Sequence, residues 1–499
     1  MNATSLETPI FIGGEPRPAS SGASYELYNP ARPTELVGRA AMAGKEDVDA
    51  AVKAAHAAYP AWSALSFGER AEMMRNVAKA IAADEEDVAR RSEIFTLEHG
   101  KIRRETMMEL SRLGDRFMQV AAYAERLATD GQLRPSPMGS PFDTIITRQA
   151  RGVAALIVPW NWPLSILCAK LPQALLAGNT VVVKPAQNSA MAPSLTLQII
   201  AELLPAGVVN IITGSARDIG DELVGHPLVS TVNFTGSVGV GQHVMRVASH
   251  RLTPVTLELG GNDAALVLED AELNPETFMK MYMGTFASTG QICMAMKRLY
   301  VHESRYDDVV QGMLAACEKA IVGDGLLPET TMGPVNNAGQ LKVVTDMIAE
   351  ARSKGADVIE SGTVPDEALY QGGGYFQRPT LVLDADQDLS VVREEQFGPV
   401  LPIMKFKTDD EAIALANDNE FGLCSSVWTP DAERAVALAR RLEAGGTYLN
   451  NHGPMSQDGR APFGGLKMSG IGRNLGFEGV LGFMEPHTIT GPGGFLFDD

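Results

Sequence analysis

The chain has 499 residues, 45% hydrophobic and 21% charged, the profile of a folded protein with material for about two to four domains. Its 42 Lys and Arg against 61 Asp and Glu leave a net charge of −19, which argues against wrapping nucleic acid or lying on an anionic membrane. The four cysteines, Cys168, Cys293, Cys317 and Cys424, form no Cys-x-x-Cys pair. Neither a metal centre nor a disulfide framework is therefore expected, and a reducing, cytoplasmic setting is. The first residues lack the basic-then-apolar order of a secretion signal.

Residues 45–128 read as helices, with apolar residues recurring every three or four positions over 46–62, 69–83 and 104–127. Pro135, Pro137, Gly139 and Pro141 mark a loop, and 143–149 alternates as a strand does. From Gly152 the period changes. Strands are predicted at 153–158, 180–184, 208–213 and 231–235, alternating with helices at 164–176, 191–204, 217–224 and 238–248. Such alternation argues for a parallel sheet covered on both faces. The most apolar run, 153–183, is broken by Pro159, Pro163, Lys170 and Pro172, so no membrane span is expected. A second alternating region covers 256–450, with strands at 264–268, 380–383, 424–428 and 447–450 and helices at 278–286 and 432–442. The glycine-rich C-terminal stretch reads as loop and terminal arm. Two tandem α/β lobes suggest a ligand in the cleft between them.

Three places carry chemistry. Cys293 follows a Gly290-Gln291 turn after a helix, where its sulfur could face a cleft. The plain alternative is a buried, inert thiol. Glu258 lies between Leu257 and Leu259 on a strand that runs into Gly260-Gly261. A carboxylate buried there must be paired, protonated or used, and burial would raise it toward the range of a general base. The alternative is a structural carboxylate at a sheet edge. Asn161 sits between Trp160 and Trp162, flanked by Pro159 and Pro163, where a strand of the first lobe ends. Ligands in such sheets bind beyond the carboxyl ends of strands, and a fixed amide N–H can serve an oxyanion hole. The alternative is an ordinary asparagine in a turn.

These places fall within seven motifs: Pro159-Trp-Asn-Trp-Pro163, Val183-Lys-Pro-Ala186, Phe234-Thr-Gly-Ser237, Glu258-Leu-Gly-Gly261, Gly290-Gln-Ile-Cys293, Glu394-Glu-Gln-Phe-Gly-Pro399 and Pro462-Phe-Gly-Gly-Leu-Lys-Met-Ser-Gly470. In this order, with Glu258 preceding Cys293 by 35 residues, the chain resembles the NAD(P)-dependent aldehyde dehydrogenase superfamily, in its hydrolytic, non-CoA-acylating branch, over almost its whole length. The resemblance implies an α/β fold of two Rossmann-like parallel-sheet lobes plus a β oligomerisation arm. It implies a cofactor-binding domain at 1–128 and 147–257, to which 454–484 returns, and a catalytic domain at 258–453. An arm at 129–146 and 485–499 would form a homodimer or homotetramer through an edge strand seeking a partner.

By the same resemblance, Cys293 is the nucleophile that forms a thiohemiacetal with an aldehyde. The Asn161 amide and the Cys293 N–H hold its oxyanion, and Glu258 activates the water that releases the carboxylic acid. Lys170 matches a lysine thought to help relay the base's proton, although a snorkelling surface lysine reads equally well. The cofactor residues implied are Val158, Trp160, Lys184, Gln187, Gly214, Phe234, Gly236, Ser237, Leu259, Gln340, Glu395 and Phe397. The usual G-x-G-x-x-G fingerprint is absent; Gly236 and the following helix N-terminus would take the pyrophosphate. Gln187 stands where a glutamate often sits beside the adenosine ribose. A neutral amide does not repel a 2′-phosphate, so NAD is the expected cofactor, with NADP possible.

Two further departures are Asn474, where a relay glutamate is common, and Asn262-Asp263 after Gly260-Gly261. The substrate tunnel implied is Trp162, Ile166, Ala169, Ala287, Ile292, Met294, Asn451, His452 and Phe463. Small residues at Ala169 and Ala287 suggest a bulky aromatic or long-chain aldehyde. With no arginine among these residues, a second carboxylate or a phosphate on the substrate is not expected. His452 is the one ionisable wall residue. Two alternatives remain open. A CoA-acylating enzyme would usually lack a base like Glu258, and a non-catalytic protein on the same scaffold would often lack the cysteine. A cysteine hydrolase would need a histidine partner, and none of the 8 histidines falls in a recognisable motif.

Overall fold

The computed structural model describes residues 6–129, 131–133 and 140–497; Pro135, Pro137 and Gly139 of the expected loop lie outside them. The first lobe is an eight-stranded sheet. Its core is five parallel strands in the order Val255–Glu258, Val229–Thr235, Val153–Ile157, Thr180–Lys184 and Val209–Ile211. Period-two alternation divides it between two cores. Ala154, Leu156, Val181 and Val183 enter one apolar cluster, and Val153, Ala155 and Val182 enter the other. Both faces are therefore covered, which is why these strands read as continuous apolar runs.

The register sets the site. Ile157 pairs with Lys184 and with Phe234, and Thr235 pairs with Glu258. The parallel strands thus all end on one edge, and the Asn161 loop, Lys184, the Gly236 turn and Glu258 emerge beside one another. The second lobe is a seven-stranded sheet with Met296–His302 and Asp263–Val267 near its centre, parallel except for the edge strand Asp357–Glu360. A third sheet pairs Met484–Pro492 with Phe142–Ala150 along its length and adds Gly131–Leu133.

The structure alters several expectations. The helix predicted at 164–176 is two, Pro163–Cys168 and Leu171–Ala177; Pro172, with no N–H to give, sits at the start of the second. The helix at 104–127 likewise ends at Ala121 and resumes as Ala124–Leu127. A helix missed by the spacing, Glu85–His99, carried end signals: Asp84 accepts from Glu86 N and Asp87 N, and Gly100 closes it at φ 91°. In the C-terminal stretch the strand Met484–Pro492 falls where the arm was expected, and the helix Gly476–Leu481 was not expected. Met296–His302 escaped prediction because Lys297 and Arg298 interrupt its apolar run. Both are buried, and Arg298 is held by the carbonyls of Asn262 and Ala416.

Candidate active site

Two cavities meet at Cys293. One, of about 160 Å³, is lined by Asn161, Trp162, Ile166, Ala169, Glu258, Ile292, Met294 and Phe463. The other, of about 560 Å³, runs along the edge of the first sheet. Cys293, Asn161 and Thr235 line both.

Backbone strain presents the thiol. After the helix Pro275–Phe286, Ser288, Thr289 and Gly290 all take left-handed conformations at φ 52°, 58° and 71°. Strain of this kind persists only where the surroundings enforce it. Here Glu105 accepts from Ser288 N at 2.7 Å, and Asn336 N donates to Gln291 Oε1 at 2.9 Å. Gly290 has no alternative, since a Cβ there would lie 2.3 Å from Gly398 O. Asn161 Nδ2 donates one hydrogen to Gln291 O at 3.0 Å, and its second N–H is available to an oxyanion beside the sulfur. Burial pushes the Cys293 thiol up to about 12, and Lys297 opposes the rise.

Lys297, which no sequence motif flagged, ties the two cavities together. Its Nζ donates to Ile292 O at 2.8 Å and to Cys293 O at 2.5 Å, and pairs with Glu395 Oε1 at 3.1 Å. Glu395 accepts in turn from Gly261 N at 3.0 Å. Lys297→Met leaves that carboxylate without its cation. The expected loss is about 2–3 kcal/mol of stability in urea melts, with a raised KM for the dinucleotide.

Glu258 is 4% exposed, and its Oε1 has no hydrogen-bond partner in the protein. Burial raises its carboxyl to about 8, against the pull of Lys170 and Arg473. Gly464 makes room for it, because a Cβ there would fall 2.7 Å from Oε1. Lys170 is no snorkelling surface residue. It is fully buried behind the cavity wall, burial lowers its ammonium to about 7, and Nζ donates to Asn233 Oδ1. Asn233 Nδ2 donates onward to Asn474 Oδ1 at 2.8 Å. Two neutral amides thus stand in the hydrogen-bond chain between the lysine and the cavity, while its charge acts on Glu258 directly.

His452 and Ala287 are also corrected. His452 is buried, bonded through Nδ1 to Ser426 Oγ at 2.8 Å, and lines neither cavity. Ala287 lines neither cavity; it packs in the apolar cluster that also holds the wall residues Trp162 and Met294. Asn451 likewise stays off the wall, its Oδ1 accepting from His452 N. The wall has members the motifs did not suggest: Glu109, Arg112 and Arg116 from the helix Arg103–Ala121, Pro454 and Gln457 from a loop, and Asn474. Arg112 and Arg116 stand four apart, one helical turn, but the same spacing describes any solvated face. Asn262 Nδ2 caps Val392 O at 2.8 Å, and Asp263 Oδ1 accepts from Cys424 N at 3.1 Å, so that departure joins two segments of the second lobe.

The larger cavity gathers Val158, Trp160, Lys184, Gln187, Phe234 and Gly236 from the first lobe, with Ser237 and Leu259. From the second come Gln340, Glu395 and Phe397. Gly214 is not among them; it packs on the backbone of Ala43. The wall suits a dinucleotide. The helix Val238–Ser249 opens against it with no side chain capping its N–H groups, a place for a pyrophosphate. A Cβ on Gly236 would lie 2.4 Å from the Phe234 ring. Lys184 is buried with only a 3.4 Å contact to Pro185 O, and burial lowers it to about 8.

The sequence matches the aldehyde dehydrogenase family model over residues 17–489. The chain belongs to the aldehyde dehydrogenase family. It is 37% identical over 484 residues to the geranial dehydrogenase of Castellaniella defragrans, covering 96% of this chain and 98% of that one. It is 36% identical over 480 residues to the NADP(+) succinate-semialdehyde dehydrogenase of Escherichia coli, covering 95% and 96%. The structure superposes on betaine aldehyde dehydrogenase from Staphylococcus aureus, solved with NAD+, at a TM-score of 0.90 and 29% identity, covering 99% and 97%. The two-lobed α/β architecture is that of the family, and the protein is an NAD(P)-dependent aldehyde dehydrogenase. Among the described residues, no helix of this dehydrogenase is long and apolar enough to cross a membrane, and no cluster of His, Cys, Asp and Glu could hold a metal.

Proposed function

We propose that this dehydrogenase oxidises its aldehyde through a thioester on Cys293 and hydrolyses that thioester with water activated by Glu258. One observation carries the reading: a thiol and a fixed amide stand where the two cavities join, with an unpartnered carboxyl in the same wall. The Cys293 thiolate attacks the carbonyl carbon, and the Asn161 amide with the Cys293 N–H holds the oxyanion. When bound, the nicotinamide supplies a hydride acceptor. Glu258, as carboxylate, takes a proton from the water that attacks the thioester. Lys170 acts on this step as a buried charge that restrains Glu258.

The substrate proposed is bulky, aromatic or long-chain. The cavity of about 160 Å³ is near the volume that a benzene-sized guest requires, and Trp162, Ile166, Met294 and Phe463 give it apolar walls. Rates of NADH formation should rise from acetaldehyde to benzaldehyde and long aliphatic aldehydes; preference for acetaldehyde would refute this. Gln187 faces the cofactor cavity with a neutral amide, so NAD+ is expected to be preferred and NADP+ accepted. Gln187→Glu should cut kcat/KM for NADP+ about 10–100-fold, because a carboxylate beside a 2′-phosphate repels it, and leave NAD+ use little changed. A wild-type preference of many hundredfold for NADP+ would reject the assignment.

The division into a cofactor-binding domain at 1–128 and 147–257, to which 454–484 returns, and a catalytic domain at 258–453 extends this proposal. So do assembly as a homodimer or homotetramer through the sheet of Phe142–Ala150 and Met484–Pro492, and a cytoplasmic location.

A further inference from the structure

The cavity that ends on Cys293 carries two guanidinium groups that no carboxylate of the described residues pairs with at salt-bridge distance. Arg112 and Arg116 lie one turn apart on the helix Arg103–Ala121, and both line the cavity that ends on Cys293. Among the described residues, no carboxylate lies within 4.0 Å of either guanidinium. Arg112 Nη1 reaches only Met455 Sδ at 3.8 Å, and Arg116 Nη1 donates to the neutral Gln119.

The nearby acids are committed elsewhere. Glu109, on the same helix and the same wall, holds Lys101 and accepts from Ser165 N at 3.0 Å. Asp458, in the facing loop, is paired with Arg460 at 2.7 Å and meets the charge of Arg116 only from beyond salt-bridge distance. Glu258 is the remaining acid of the wall, and it belongs to the catalytic end. Gly459 keeps a place for one of the two arginines, since a Cβ there would fall 1.3 Å from Arg116 Nη1. Any larger residue would drive the guanidinium from its position.

We infer that the aldehyde carries a carboxylate at the end remote from the reacting carbon, received by Arg112 and Arg116. This rests on the reading of Cys293 as the nucleophile. It reverses the expectation, drawn from the motifs alone, that no arginine faces the substrate. The apolar walls then pack the body of the molecule, and the planar guanidinium fork pairs with its far end. The charge also sets orientation: a carboxylate held at the rim leaves the aldehyde facing the sulfur.

The test compares para-carboxybenzaldehyde and a series of aliphatic ω-carboxyaldehydes with their methyl esters, and with aldehydes bearing a terminal phosphate. In the wild type, kcat/KM for the acid should exceed that for its ester by about tenfold to a hundredfold, chiefly through KM, and the ratio should fall with added salt. In the Arg112→Gln, Arg116→Gln double variant the acid-to-ester ratio should collapse toward one. Esters used as well as acids, or a ratio that survives the double substitution, would overturn the inference. A phosphate-bearing aldehyde preferred over every carboxylate would overturn the assignment of the anion. If no aldehyde is oxidised at all, the catalytic reading falls separately. Calorimetric titration with the corresponding dicarboxylates then still decides. Binding lost in the double variant supports the arginine site, and absent or arginine-independent binding rejects it.

Discussion

Cys293→Ala is expected to abolish NADH formation, lowering kcat by about 10⁴-fold or more, with the fold intact. The loss follows from the bond the sulfur must form. Without it the carbonyl never becomes a tetrahedral species from which hydride can leave, and the remaining donors can only bind substrate. Stability should change by less than about 1 kcal/mol, since the change removes one atom at a cavity wall and buries no polar group. The matched control is Cys317→Ala. Cys317 is fully buried in the apolar core of the second lobe, away from both cavities. That variant should lose some stability and keep its turnover. Equal loss of activity in both variants would show that the effect came from folding. Full activity in Cys293→Ala would remove the covalent mechanism.

Glu258→Gln is expected to separate the two halves of the reaction. One equivalent of NADH per subunit should still form rapidly, and steady turnover should fall by about 10²–10⁴-fold, because only thioester hydrolysis needs the base. Release of acyl-CoA on adding CoA would instead favour transfer to that thiol. In the wild type the carboxyl has a value of about 8, so the base form accumulates as pH rises through 8. Hydrolysis should accelerate over that range and level off above it, and the Gln variant should lose this dependence. Stability changes in the opposite sense. The unfolded carboxyl ionises near 4.5 while the native one holds its proton up to about 8. The native state therefore retains a proton that the unfolded chain releases, and stability declines between these two values. At pH 7 the penalty is roughly 3 kcal/mol. Thermal melts should show Glu258→Gln gaining Tm over the wild type as pH rises from 5 to 8. A constant difference would mean that the carboxyl is not raised.

Much of the first lobe was legible along the chain. Thr180–Lys184 is all β-branched but for its last residue and buried throughout, and strands covered on both faces announce themselves in this way. Met296–His302 was hidden for the opposite reason. Its two basic residues look like solvent-facing positions, yet each is buried on carbonyl oxygens and, for Lys297, on a carboxylate from the far side of the site. His452 misled in the same direction: it adjoins the tunnel in sequence pattern, and its ring turns inward to Ser426.

By itself the amino-acid sequence determined the family and the order in which both lobes are built, and it singled out Cys293, Glu258 and Asn161 as candidates. Those features are local, carried by a few consecutive residues whose chemistry and backbone freedom admit little else. Tertiary structure alone decided that Lys170 is buried, that Lys297 joins Cys293 to Glu395, and that Arg112 and Arg116 line the cavity that ends on Cys293. A cavity wall is assembled from segments hundreds of residues apart, as Arg112 and Phe463 are. Whether a charge there meets water, an ion partner or a ligand depends on what packs across from it, and no local pattern records that.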